Sequence, residues 1–292
     1  MMKKLMWALL LAALCGAGAF AQTEADFEVM LTDDGAGAVI ARYTGKAAQI
    51  RFPATIEGLP VRVIGTGVND RNRVIGSTVT SVVIPEGVTE IGIRAFSDTA
   101  LSSITLPKSL TSIGREAFTR SKLSSITIPG GVTKMDEAFS GCDTLKTVTI
   151  SGGVTRIGVQ AFYYCRALTA VTLPAGLQTI GDQAFSGCSA LTTVTLPASL
   201  QSIGYEAFYY CALTAVTLPE SLQTIGSNAF LSCSALTSVT YSDTIQITRL
   251  GSGVFSECPK LSLASQAAIR KLDEIAKANQ GEETATPQAQ GK

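Results

Sequence analysis

A nine-residue phrase recurs along this chain. It reads IGVQAFYYC from Ile157 to Cys165, IGDQAFSGC from Ile180 to Cys188, IGYEAFYYC from Ile203 to Cys211 and IGSNAFLSC from Ile225 to Cys233. The phenylalanines in this register are Phe96, Phe118, Phe139, Phe162, Phe185, Phe208, Phe230 and Phe255, spaced by 22, 21, 23, 23, 23, 22 and 25 residues. A unit of about 23 residues is too small to bury an apolar face alone, so successive units must stack into a solenoid.

One full unit is LTTVTLPASLQSIGYEAFYYC, Leu191 to Cys211, with Leu191, Val194, Leu196, Leu200, Ile203, Ala207, Phe208 and Cys211 as its apolar positions. TVTLP alternates, which predicts a short strand over Thr193 to Pro197, with Val194 and Leu196 facing in and the proline ending it. LQSIG reads as a turn at Gly204, and YEAFYYC has room for a single helical or 3₁₀ turn. Strands one repeat apart stack in parallel about 4.8 Å apart. Equivalent residues then form columns along the molecule.

The pattern LxxVTLPxxLxxIGxxAFxxC resembles the BspA-like, Treponema-type class of leucine-rich repeat over roughly Leu59 to Cys258. The segment ARYTGKAAQIRFPATIEGLPVRVIG, Ala41 to Gly65, is similar to the lead-in that such proteins place before the first full repeat. The resemblance implies a leucine-rich repeat solenoid, a horseshoe-like α/β architecture with short parallel strands in a long narrow sheet and mostly turn or 3₁₀ outer segments. Some repeats depart from the pattern: Met135-Asp136 replaces Ile-Gly, Ser151 and Ser242 replace proline, and Asn69 to Ser77 is a polar insertion. Those repeats are expected to be looser.

A solenoid exposes apolar core and unpaired strand edge at both ends unless each is capped. Residues 22–58 are expected to form a β-rich N-terminal cap in which AVIARY, Ala38 to Tyr43, is one arm of a hairpin after the turn signal DDGAG. The repeats then span 59–260. Residues 261–280 read as an amphipathic capping helix with Leu263, Ala267, Ile269, Leu272, Ile275 and Ala276 near helical spacing, stopped by Gly281, and 281–292 as a polar disordered tail.

Residues 1–21 read as an export signal: a basic MMKK, a short apolar core, and Ala19-Phe20-Ala21 as a cleavage site after Ala21. A lipid-accepting Cys15 is the rival reading, and bulky Leu14 before it speaks against that. No later segment approaches the roughly 20 apolar residues of a membrane span. The expected location is therefore outside the inner membrane: secreted, cell surface or periplasmic.

The composition removes several functions. Lys plus Arg equals Asp plus Glu at 23 each, so no net charge draws the chain to nucleic acid. There is no histidine, which takes away the commonest general base and metal ligand. Glu116, Glu137 and Glu206 share one repeat position and lie whole rungs apart, which suits no acid/base pair. No catalytic residue, cofactor or metal site is expected.

Three columns remain. Cys142, Cys165, Cys188, Cys211, Cys233 and Cys258 form the first, continued by Thr99 and Ser121 in earlier repeats. Side chains stacked in register point the same way, so the column reads as buried small-residue filling with six free thiols, and three disulfides are disfavoured. The second is the exposed strand face: Ser103, Thr105, Ser125, Thr127, Thr147, Thr149, Thr172, Thr193, Thr195, Thr217, Ser238 and Thr240. These hydroxyls read either as β-propensity alone or as a neutral ligand-binding face for a broad protein or glycan partner. The third is a candidate aromatic patch of Tyr163, Tyr164, Tyr205, Tyr209 and Tyr210, open between an interface and packing over the neighbouring turn.

The resemblance supplies the functional expectation, because BspA-like proteins are linked to attachment. That expectation is an exported adhesion module binding host matrix or other cell-surface proteins. A structural or assembly protein of the bacterial envelope is the alternative.

Overall fold

The computed structural model describes residues 22–66 and 73–283. The expected signal segment lies outside these residues, as do the first part of the polar insertion and the last residues of the chain. The described chain is a solenoid of stacked coils with an N-terminal hairpin and a C-terminal helix.

The hairpin consists of β1 (Phe27–Leu31) and β2 (Ala38–Tyr43), paired antiparallel. β2 then pairs in parallel with Leu59–Ile64, which hands the chain over to the repeats. Phe27, Ala38, Ile40 and Tyr43 are buried beneath the hairpin, so the first coil has no open apolar end.

Each coil is fastened to the next along three flanks. The first is the Ser/Thr ladder that the alternation of TVTLP predicts. It divides into blocks: Gln49–Arg51, Ser81–Val83 and Ser103–Thr105; then Ser125–Ile128, Thr147–Ile150 and Ala170–Thr172; then Ala215–Leu218 and Ser238–Tyr241. Thr193 to Pro197 is a correction to the sequence reading, since no strand forms there. Its coil is held by buried Leu191, Leu196 and Leu200 and by the other two flanks. A three-residue strand adds only a few backbone bonds, which exposed groups exchange for water at small net cost.

The second flank is a ladder of two-residue strands that sequence reasoning assigned to turns. Arg156–Ile157, Thr179–Ile180, Ser202–Ile203, Thr224–Ile225 and Arg249–Leu250 pair in parallel, each isoleucine over the next and Ile225 over Leu250. Glu90–Ile91 and Ser112–Ile113 form the same ladder earlier in the chain. The glycine after each isoleucine is a close approach: a Cβ on Gly204 would lie 2.5 Å from the Asp182 nitrogen and 2.7 Å from the Gly181 carbonyl carbon. Where Asp136 replaces that glycine, the ladder shrinks to a single bridge between Ser112 and Lys134.

The third flank corrects the outer segment. Instead of one helical or 3₁₀ turn, each coil makes successive hydrogen-bonded turns, Gly204 to Ala207, Glu206 to Tyr209 and Phe208 to Cys211. Glu206 (φ 50°) and Tyr210 (φ 55°) take left-handed backbone, the requirement at the third residue of a type II turn. The same two positions recur as Gln160 and Tyr164, Gln183 and Gly187, and Asn228 and Ser232. A helical turn would use its N–H groups internally. This path instead aims alternate ones at the next coil: Glu206 to Ser227 O, Phe208 to Ala229 O and Tyr210 to Leu231 O, at 3.0, 2.8 and 3.0 Å.

Between the flanks runs the core. From Phe96 to Phe255 the rings stack in one file, with centroid steps of 5.2, 5.0, 5.3, 5.4, 5.4, 5.2 and 5.2 Å. These distances exceed ring-contact thickness, so the near-parallel rings are offset, the favoured geometry for aromatic pairs.

The far end is closed by α1 (Leu263–Glu283). Leu272 and Ala276 are buried against the last coil, and the Ser265 hydroxyl accepts the Val239 N–H at 3.0 Å. Two details depart from the sequence reading. Leu263 is 83% exposed and Ala267 faces solvent, because the contact stripe runs through Ser265, Ile269, Leu272 and Ala276. The helix also continues through Gly281 to Glu283, a glycine near a helix end costing about 1 kcal/mol at most.

Candidate functional site

The Ser/Thr columns stand where the alternation puts them. Ser103, Thr105, Ser125, Thr127, Thr147, Thr149, Thr172, Thr193, Thr195, Thr217 and Thr240 are exposed, while Ser238 is half-buried beside α1. They do not form one continuous surface. Thr127, Thr149 and Thr172 are in direct register across the middle block, and Thr217 is paired with Thr240, their hydroxyls 3.0 Å apart. Thr193 and Thr195 sit on the strandless coil between those blocks.

The column just before this face behaves differently, and sequence reasoning did not separate the two. Ser102, Thr169, Thr214 and Thr237 turn their hydroxyls back onto the carbonyls of the preceding coil, Thr80, Lys146, Thr192 and Thr214, at 2.9 to 3.4 Å. Those hydroxyls are occupied in holding coils together. The hydroxyls of Thr127, Thr149 and Thr172 donate to no group among the described residues and are free for a partner.

The cysteine column is buried and its six thiols are free. It does more than fill space. Each Sγ–H donates to the carbonyl of the phenylalanine one coil back: Cys165 to Phe139, Cys188 to Phe162, Cys211 to Phe185 and Cys233 to Phe208, at 3.1 to 3.3 Å. Burial pushes the thiols of Cys165, Cys188 and Cys211 far up, Cys233 to about 12 and Cys258 to about 11. A thiol that stays protonated is neither nucleophile nor metal ligand. Among the described residues no group of three or more His, Cys, Asp or Glu converges to hold a metal ion.

The outer turns carry a polar ladder on the left-handed positions. Arg94 donates to Glu116 at 2.7 Å and Arg115 to Glu137 at 3.0 Å. Further along, Gln160 donates to Gln183 and Gln183 to Glu206, at 2.5 and 2.7 Å. Arg115 also lies 3.7 Å from Glu116 and so bridges Glu116 and Glu137, whereas Glu206 is engaged apart from them by Gln183.

The tyrosines gather around the far part of this ladder. Tyr163 and Tyr164 meet edge to face with centroids 4.5 Å apart, and Tyr209 and Tyr210 are 6.1 Å apart. The Tyr205 hydroxyl donates to Glu206, and that hydrogen bond pushes the phenol pKa up, while burial does the same for Tyr163. Tyr205 and Tyr210 remain 43% and 58% exposed. The patch is therefore partly packing over neighbouring turns and partly open surface.

Comparison with known proteins follows this geometry. The profile of the BspA-type leucine-rich repeat region, in six copies, matches residues 75–174 and 155–279. Among solved structures, a leucine-rich repeat protein from Bacteroides ovatus is 23% identical over 81% of this chain and 80% of its own, with a TM-score of 0.54. That likeness establishes the fold. The T. pallidum leucine-rich repeat protein is 27% identical over 86% and 95%, with a TM-score of 0.45. A leucine-rich cell surface protein from Faecalibacterium prausnitzii is 23% identical over 76% and 94%, at 0.33. No curated protein matches the chain.

Proposed function

Because this chain belongs to the BspA-type leucine-rich repeat family, we propose that it is an exported protein-binding module that engages host matrix or other cell-surface proteins through its Ser/Thr face. Leucine-rich repeat proteins bind other proteins, and the family and fold are those of binding modules rather than enzymes. The observation that carries the reading is the middle block, where Thr127, Thr149 and Thr172 stack in register with hydroxyls that bond nothing among the described residues. β-Propensity accounts for threonine at such positions. It does not account for a middle block that carries no charge and leaves all three threonine hydroxyls of its outer column open.

Such a surface suits a broad, shape-matched partner. Its neutral hydroxyls exchange water for a partner's polar groups at little cost, and no charge has to be stripped of solvent. Export rests on the basic, apolar and small-residue order of residues 1–21. No helix among the described residues is long and apolar enough to cross a membrane.

The test is capture of the purified mature chain on immobilised extracellular-matrix and cell-surface proteins. The triple substitution Thr127→Glu, Thr149→Glu, Thr172→Glu should abolish capture and leave the circular dichroism spectrum unchanged. Absence of capture by the unmodified chain, or capture that survives the triple substitution, overturns the face as the binding surface. Surface proteolysis of intact cells separates adhesion from envelope assembly: an accessible protein supports adhesion, and a protected one assigns the same face to a periplasmic partner.

A further inference from the structure

The tyrosine patch contains a slot. Tyr164, Gly187 and Tyr210 occupy the same left-handed position on three successive coils. The middle rung has no side chain, so two aromatic rings flank an open step. Parallel coils stack about 4.8 Å apart, which sets the two tyrosines two such steps apart along the axis. Tyr164 leans toward the gap: a Cβ on Gly187 would lie 3.0 Å from its ring. The result is a cavity of about 260 Å³ walled by Tyr164, Tyr209 and Tyr210, floored by Gly187 and rimmed by Arg166 and Ser189.

Arg166 gives the slot its chemistry. Its guanidinium lies 5.3 Å from the Tyr164 ring centroid, held at the rim by the ring's negative face. It forms no ion pair with any described residue, whereas Arg94, Arg115 and Arg120 on the neighbouring turn positions each have a carboxylate partner. The slot thus offers flat aromatic walls, one uncommitted cation and the Ser189 hydroxyl. Tyr210, one of the four large apolar side chains left exposed among the described residues, lines it.

We propose that this slot is a subsite for a carboxylate-bearing pyranose, the acidic sugar unit of a cell-surface polysaccharide. A pyranose presents an apolar face that stacks on a tyrosine ring, and its carboxylate meets the guanidinium through paired, charge-assisted hydrogen bonds. Both features lie on one rigid unit, which fits a space below the size of a drug-sized pocket. An acidic peptide side chain has the carboxylate but no flat face for the aromatic walls. A cationic ligand suits tyrosine walls but meets Arg166. This site is separate from the Ser/Thr face and stands or falls without it.

The test uses the whole mature chain and nuclear magnetic resonance titration with methyl β-D-glucuronide, methyl β-D-glucoside and a short glutamate peptide. The glucuronide should shift the resonances of Tyr164, Gly187 and Tyr210 and bind about tenfold tighter than the glucoside, the gain expected from one charge-assisted contact. Arg166→Gln should remove that tenfold preference. Tyr210→Ala, at an exposed position, should weaken both sugars about tenfold with the spectrum otherwise preserved. Thr149→Glu should change neither. Hyaluronan and polygalacturonate oligosaccharides then distinguish a host from a microbial or plant source, and binding of either supports the assignment. Equal affinity for glucuronide and glucoside, or a glutamate peptide that binds as well as the glucuronide, overturns it.

Discussion

Phe185 is the most informative single perturbation of the stack. Its ring is fully buried and lies between Phe162 and Phe208, 5.4 Å from each centroid and within 10° of parallel. Removing it opens a cavity that three backbone ladders prevent from collapsing, and Phe→Ala losses in such sites run to about 3–5 kcal/mol. It also removes two ring pairs, each contributing about 0.5–1.5 kcal/mol beyond area burial. Phe255 is the control: it keeps 9% exposure and has a ring partner on one side only, Phe230. Phe185→Ala should therefore cost about 1 kcal/mol more than Phe255→Ala, with the former near 4 kcal/mol. Urea unfolding followed by circular dichroism gives the totals. Native-state hydrogen exchange gives the location, because a solenoid couples each coil chiefly to its neighbours. Protection at Ile180 and Ile203 should fall more than at Ile113, three coils from Ile180. A loss below about 2 kcal/mol, or equal loss of protection at all three sites, would refute the ring file as a main source of coil-to-coil stability.

Further perturbations address the other flanks. Gly204→Ala drives a Cβ to 2.5 Å from backbone and should cost about 1–3 kcal/mol, whereas Gly176→Ala meets nothing within 4 Å and should be neutral or slightly stabilising. Thermal unfolding of the two variants side by side checks this. The six cysteines should be silent to Ellman's reagent at pH 8 in the folded chain and react as six thiols in urea; three disulfides would refute the free column. The same burial makes stability pH-dependent. The folded pKa of Cys258 and Cys233 is raised from 9.0 to about 11 and about 12, so the folded state keeps protons that the unfolded chain releases. Their contribution is full below about pH 9 and is lost as pH rises through 11 and 12. The urea midpoint should fall between pH 8 and pH 10.5, and Cys233→Val should reduce that fall; an unchanged dependence would contradict it.

Much of the surface reading was legible because period and alternation report directly on stacking. Thr127 and Thr149 could be placed in register from spacing alone, since residues one period apart in a parallel stack must be neighbours. The tyrosine slot was only half visible. The sequence placed Tyr163-Tyr164 and Tyr209-Tyr210 two repeats apart, but nothing in it singled out Gly187 between them. Its left-handed backbone and the lean of Tyr164 make the absent side chain into a cavity.

Other features were invisible because they depend on where backbone polar groups point. The ladder through Ile180 and Ile203 was hidden by strands of two residues, too short to show alternation. The hydroxyls of Ser102 and Thr127 look alike in sequence, yet one closes on a carbonyl and the other faces solvent.

From its sequence alone this chain was committed to a stacked solenoid with a buried file of phenylalanines and cysteines. A 23-residue unit with those apolar positions has no other way to leave water. Only the tertiary structure decided how the coils are fastened, where the Ser/Thr sheet breaks at Thr193 to Pro197, and which side chains are left without partners. Hydrophobic spacing settles which residues go inside, whereas hydrogen-bond direction between coils is settled only when the coils meet.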